Sequence, residues 1–198
     1  MKAKRLILAM AIVIAFCASS VFAQSQSGSD SSNPPTIQQR KENQQDRIAN
    51  GVQSGQLTAG ETKNLEVKEA GINHEEHTMR SDDDGHLTSA DRARLDNQQN
   101  HLSNNIYRDK HNAEVAHYGN NEVGQRRENQ QDRIAQGIRS GELRPGQTAR
   151  LENQEQGINR EVGGMRQANG GRLTNADKRV VNQQQNKVSR HIYRDKHE

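Results

Sequence analysis

Residues 40 to 51 read RKENQQDRIANG, and 86 positions later residues 126 to 137 read RRENQQDRIAQG. The correspondence continues at that offset without a gap to IYRDKH, at 106 to 111 and again at 192 to 197, with about half of the aligned positions identical. A gap-free repeat of this length indicates a duplicated structural unit, so every element of the first copy predicts a counterpart in the second.

Each copy carries three stripes at helical spacing. Ile37, Ile48 and Val52 share one face, matched by Val123, Ile134 and Ile138; Leu65, Ile72 and Met79 stand seven apart, matched by Leu151, Ile158 and Met165; Leu95, Leu102 and Ile106 are matched by Val181, Val188 and Ile192. The fold class expected is all-α, two tandem copies of a helix-turn-helix-turn-helix unit, over residues 36 to 112 and 123 to 198, with a linker at 113 to 122. The stripes are narrow, closer to a coiled-coil seam than to a globular core, so these helices must pack on one another. The seven-residue spacing passes through Gly71 in register, which predicts one helix over residues 59 to 79 rather than two.

Between helices the chain uses one turn repeatedly: GQLTAGE (55 to 61), GHLTSAD (85 to 91), GRLTNAD (171 to 177) and the altered GELRPGQ (141 to 147). Gly ends one helix in the left-handed region, Thr caps the next, and the acid three residues on completes a capping box. Leu57 and Leu87 stand where a hydrophobic staple sits. In the altered copy Pro145 falls at the first helical position and Gln147 keeps the third, so helix initiation is preserved by another route.

Residues 1 to 23, MKAKRLILAMAIVIAFCASSVFA, have the basic start, short apolar run and small-residue ending of a secretory signal peptide. Residues 24 to 35 form a Ser/Gly/Pro-rich tether that cannot bury a core. The signal holds three of the 28 basic residues, none of the 25 acidic ones and the only cysteine, Cys17. The exported chain is therefore electrically balanced, without disulfide or thiol, which argues against nucleic-acid binding and leaves no membrane span after cleavage. With 29% hydrophobic and 3% aromatic residues, a deep dry catalytic pocket is hard to build, and no nucleophile-and-base motif is present; the chain reads as non-enzymatic.

SDDDGHLTSAD is similar to a calcium-binding EF-hand loop: with Gly85 in register, Asp82 and Asp84 take the third and fifth ligand positions and Asp91 the last. Arg80 stands where the first carboxylate belongs, and the second copy has Arg166, Ala168 and Gly170 at the corresponding positions. His74 and His77 lie one helical turn apart, close in sequence to those acids. His74, His77, Asp82, Asp84 and Asp91 are thus the candidate ligands for a weakly held divalent cation; the plainer reading is a solvated polar face. No other cofactor is expected. Tyr107 with Arg108, and Tyr193 with Arg194, recur in IYRDKH and form a candidate partner-facing edge. Residues 40 to 112 carry 10 basic and 13 acidic side chains, and residues 126 to 198 carry 15 and 9, a contrast that predicts attraction between an acidic and a basic unit, within a chain or between chains.

The pattern ENQQDRI, then GxLTxx[ED], then IYRDKH resembles small exported bacterial helical-repeat proteins. The Leu-Thr-x-x-acid turns are similar to the Leu-Thr-x-x-Gln motifs of periplasmic helical-hairpin proteins of the Spy and CpxP kind, a resemblance that implies chaperone or stress-sensing work. The expectation is an exported binding, structural or stress-protective protein of the cell envelope, with an unspecified protein or envelope partner. Its rivals are a divalent-metal-binding module and a hydrophilic desiccation protectant, the latter suggested by a mean hydropathy of −1.15.

Overall fold

The computed structural model describes residues 35–198. The expected signal peptide and all but the last residue of the expected tether, with Cys17, lie outside the described residues. Six helices and no strand are found among the described residues: α1 (Ile37–Gln53), α2 (Ala59–Asp82), α3 (Ser89–Lys110), α4 (Glu122–Ser140), α5 (Pro145–Ala168) and α6 (Asn175–Lys196). α5 and α6 begin and end 86 residues after α2 and α3, and α4 matches α1 to within a residue at each end. α2 is a single helix through Gly71, as the spacing predicts.

The turns do what their residues dictate. Thr36, Thr58, Thr88 and Thr174 each cap a helix in a complete capping box, with Gln39, Glu61, Asp91 and Asp177 at the third helical position. Gly55 and Gly85 hold φ of 72° and 88°, and Leu57 and Leu87 are buried behind the caps. In the altered copy Pro145 begins α5, and the Arg144 N–H donates to Gln147 Oε1 at 2.9 Å. The glycine of ENQQDRIxxG has a packing role. After α1 the chain folds back, the Leu57 N–H donating to Gly51 O at 2.9 Å, and a Cβ on Gly51 would stand 2.6 Å from the Leu57 side chain. Gly137 and Leu143 repeat this arrangement, with the same 2.9 Å bond and 2.6 Å approach.

Within each half the third helix spans the other two: α3 packs on α1 and α2, and α6 on α4 and α5, whereas α1 touches α2, and α4 touches α5, only slightly. Two buried glutamines brace each crossing. Gln44 Nε2 donates to Gln99 O at 2.7 Å and Gln99 Nε2 to Ile37 O at 3.0 Å; Gln130 reaches Gln185 O at 2.8 Å and Gln185 reaches Val123 O at 2.9 Å. The most extensive contacts run between the halves, α2 against α5 and α1 against α4. The apolar residues of all six helices form one cluster. Among the described residues no ion pair joins residues 37–112 to residues 122–198, so the halves meet through apolar burial and through hydrogen bonds to neutral amides, such as Arg139 to Asn50 and Gln53 and Lys63 to Gln156, rather than through their opposite charges.

Because one core serves both halves, the protein should unfold in a single cooperative thermal transition followed by circular dichroism; two resolved transitions would show that the halves are independent. Gly51→Ala should lower stability by about 1–3 kcal/mol, since the added methyl must displace Leu57. A urea midpoint equal to that of the parent protein would contradict this packing.

Candidate functional site: a buried carboxyl seam and two paired clefts

α2 and α5 each carry two glutamates at matching positions that are at most 1% exposed, Glu66 with Glu69 and Glu152 with Glu155; a third buried glutamate of α2, Glu76, is paired with Lys41 and Arg80. Burial of a carboxylate disfavours its charged form, and these groups have few partners to offset that cost. Gln45 Nε2 on α1 donates to Glu66 Oε2 at 3.3 Å, and Gln131 Nε2 on α4 donates to Glu152 Oε2 at 3.1 Å. Both carboxyl oxygens of Glu69 and of Glu155 lack a hydrogen-bond partner. Desolvation pushes the Glu66 carboxyl up to about 8 and Glu69 up to about 7, Lys41 opposing the latter shift. The Glu155 carboxyl is likewise raised by burial to about 7 against the pull of Arg127. Glu152 is raised well above its ordinary value by burial, with Glu155 and Glu66 adding like-charge repulsion. The seam therefore runs from Glu66 and Glu152, close to each other where the halves cross, outward to Glu69 and Glu155.

Each outer glutamate forms a wall of a cleft. One cleft, of about 150 Å³, is bounded by Arg127, Gln131, Glu155 and Asn159, with Thr58 and Ala59 from the first half at its rim. The other, of about 540 Å³, is bounded by the equivalent residues Lys41, Gln45, Glu69 and Asn73, with Arg144 and Pro145 at the equivalent rim positions. Residues 115–118 of the connection between α3 and α4 line the smaller cleft; the positions 86 residues earlier, 29–32, lie outside the described residues. The Ala116 N–H donates to Gly55 O at 2.8 Å, and the Arg127 guanidinium carbon sits 5.3 Å from the centre of the Tyr118 ring. Burial pushes the Tyr118 hydroxyl above its ordinary range and holds Arg127 below its own.

Gly124 makes that path possible, for a Cβ there would stand 1.9 Å from Tyr118 O and 2.3 Å from Gly119 O. The equivalent position in the first half is Gln38, which lines the larger cleft. The cation of the larger cleft is also differently engaged: Lys41 Nζ pairs with Glu76 at 2.8 Å, whereas the position equivalent to Glu76 is Val162.

The residues singled out from sequence lie elsewhere. His74 and His77 share an exposed face of α2, Asp82 ends that helix, and Asp84 follows at φ 50° in the turn. Asp91 is committed to the start of α3, where Thr88 N and Oγ1 both donate to its carboxylate, at 2.9 and 2.5 Å. Arg80 closes the loop itself, donating to Gly85 O at 3.2 Å while pairing with Glu76 at 2.8 Å. Among the described residues no group of three or more His, Cys, Asp or Glu side chains is placed to hold a metal ion. Tyr107 and Tyr193 are each 62% exposed near the ends of α3 and α6, and their rings stack on His111 and His197 at 4.2 Å. Arg108 and Arg194 pair with the adjacent Asp109 and Asp195.

Sequence reasoning singled out none of these four glutamates. A signal was available. In NLEVKEAGIN and RLENQEQGIN the two glutamates are identical between copies while the residues between and just after them change. Identity at those positions reflects a shared environment that the neighbouring exposed positions lack. No family model, curated protein or solved structure matches the chain.

The seam dictates a pH dependence. A carboxyl whose folded pKa is raised keeps its proton in the native state after the unfolded chain has lost it, so its contribution declines as pH rises from about 4.5 through about 7 to 8. Asp91 and Asp177, held below their ordinary values by hydrogen bonds from Thr88 and Thr174, act oppositely and lose their contribution in acid. The melting temperature should therefore be highest near pH 5 and lower at pH 8.5. Glu66→Gln or Glu152→Gln should raise it at pH 8.5 and flatten the profile; a flat profile in the parent protein would show that the seam does not titrate in this way.

Proposed function

We propose that this chain is a non-enzymatic, exported helical-repeat protein, two copies of a three-helix unit, that binds a protein partner in the cell envelope. The observation that carries the reading is the inequality of two clefts at equivalent places: residues 115–118 of the chain line one, and the other, as bounded by the described residues, has more than three times the volume. A fold that duplicates a peptide-lined cleft and leaves one copy wide has the form of a binding site. The composition supports a binding role over catalysis: the cleft walls are mainly amides, carboxyls and cations, and the Thr58 hydroxyl at the smaller cleft is engaged in the helix cap with Glu61. Export rests on the signal-like leader, and the turn motifs similar to those of Spy and CpxP proteins accord with an envelope role. No helix among the described residues is long and apolar enough to cross a membrane.

The test is made in the intact envelope. N-terminal sequencing of the purified protein should begin at Gln24. A photo-crosslinking residue at Gln38 or Asn73, in the wide cleft, should give discrete adducts. The same residue at Tyr107 should give none; adducts from Tyr107 alone would move the binding face to the exposed tyrosines. Absence of adducts from every position would remove the binding reading.

A further inference from the structure

The two halves differ in charge at the turn that joins their last two helices. In the first half this end neutralises itself. Arg80, on the last turn of α2, pairs with Glu76 at 2.8 Å and donates to Gly85 O, Arg92 donates to Leu87 O at 3.2 Å, and Asp82, Asp83 and Asp84 run into the turn. At the positions 86 residues later the cations stay and these carboxylates go. Arg80, His86 and Arg92 become Arg166, Arg172 and Lys178, whereas Glu76, Asp82, Asp83, Asp84 and Asp96 become Val162, Ala168, Asn169, Gly170 and Asn182. Among the described residues none of the three cations is in an ion pair.

Arg166, Arg172 and Lys178 line one cavity of about 530 Å³, set between the α5–α6 turn, the start of α6 and the first turn of α4. Arg166 is half-buried there, and Val123 and Leu173 add apolar surface. Glu122 is the one carboxylate in the lining, so three cations less one acid leave the cavity a net charge of +2. The positive end of α4, capped by Asn121 accepting from the Gly124 N–H at 3.1 Å, lies at the same cavity. Cations gathered around a concave space focus a positive potential on it. A single carboxylate would offset only half of the net charge. A phosphate monoester, which carries about −1.5 to −2 near neutral pH, matches it, and its oxygens accept paired bonds from a guanidinium.

We infer that this cavity is a binding site for a phosphate group, carried either by a small soluble molecule or by a lipid headgroup. Arg166 and Arg172 supply the paired donors and Lys178 a point charge. None of the residues that line it lines either of the two clefts, so the site stands apart from the protein-binding reading above.

Titration of the exported chain with inorganic pyrophosphate in chloride buffer, followed by calorimetry, should reveal one saturable site whose affinity falls as salt is raised. Arg166→Gln and Arg172→Gln should each weaken binding about tenfold. Arg92→Gln, at the first-half position equivalent to Lys178, should leave it unchanged. Ala168→Asp combined with Gly170→Asp restores two of the first half's acids at exposed positions. This pair should weaken binding tenfold or more while the helical circular dichroism stays that of the parent. Cosedimentation with vesicles of phosphatidylglycerol and phosphatidylcholine separates the two carriers. Sedimentation that Arg166→Gln and Arg172→Gln abolish would assign the site to a headgroup, and no sedimentation beside intact pyrophosphate binding would assign it to a soluble phosphorylated molecule.

Absence of a saturable pyrophosphate site would overturn the inference. So would undiminished binding by Arg166→Gln and Arg172→Gln, or an equal loss from Arg92→Gln, since either result would mean a diffuse basic surface.

Discussion

The crossing of α2 over α5 is the contact on which the arrangement of the helices depends. Each half has stripes only one or two residues wide, and α1 barely touches α2, so a single half would leave its apolar residues facing water. Pairing the long helices buries Leu65, Ile72, Leu151 and Ile158, and it also buries four carboxyl groups beside them. A buried carboxylate is expensive and a buried carboxylic acid far less so, which is why the seam tolerates few hydrogen-bond partners only while its groups hold their protons. The contact that joins the halves is therefore chemically conditional.

Inside each half the conditions are different. Gln44 and Gln130 donate to the mid-helix carbonyls of Gln99 and Gln185, whose side chains donate in turn to Ile37 O and Val123 O at the starts of α1 and α4, and none of these groups titrates. Together with the capping boxes they set where each helix starts and how α3 and α6 lie across their neighbours. The repeated ENQQDRI segment carries both kinds of contact. Its first glutamine ties α1 to α3 or α4 to α6, and its second reaches the buried glutamate of α2 or α5. Its arginine binds the third helix again, Arg47 to Ser103 O at 3.0 Å and Arg133 to Ser189 O at 3.2 Å.

Duplication supplies two clefts, and three substitutions make them unlike. Gly124 leaves room for Tyr118 and Gly119 to cross α4, where the first half has the longer side chain of Gln38. Val162 against Glu76 leaves Arg127 available to an aromatic ring, while Lys41 is held in an ion pair. Arg144 against Thr58 trades a cap for a surface charge, a trade that Pro145 and Gln147 make tolerable by starting α5 without the threonine. Each change is small in sequence and conservative for the helices, and each alters what the adjoining cleft can hold.

Helix number, helix ends and the apolar face of each helix were legible in the sequence, because capping and periodicity are local: Thr58 needs only Glu61, and Leu65 needs only its neighbours one and two turns away. The same locality made GHLTSAD readable as a helix stop and start. The use of Asp91 as a cap followed from the spacing of a few residues, whereas the bonds of Arg80 to Gly85 O and to Glu76 came only with the structure. The carboxyl seam and the pairing of α2 with α5 join residues some 80 or more positions apart, and no local rule places Glu66 beside Glu152 or folds Tyr118 back under Arg127. The charge contrast between the halves suggested that they attract, yet the tertiary structure joins them without an ion pair, since apolar burial rather than net charge sets which faces meet. The sequence by itself determined the helices and their turns. Only the tertiary structure decided that the two copies share one core, because narrow stripes can be buried in more than one way and the choice is made by packing at long range.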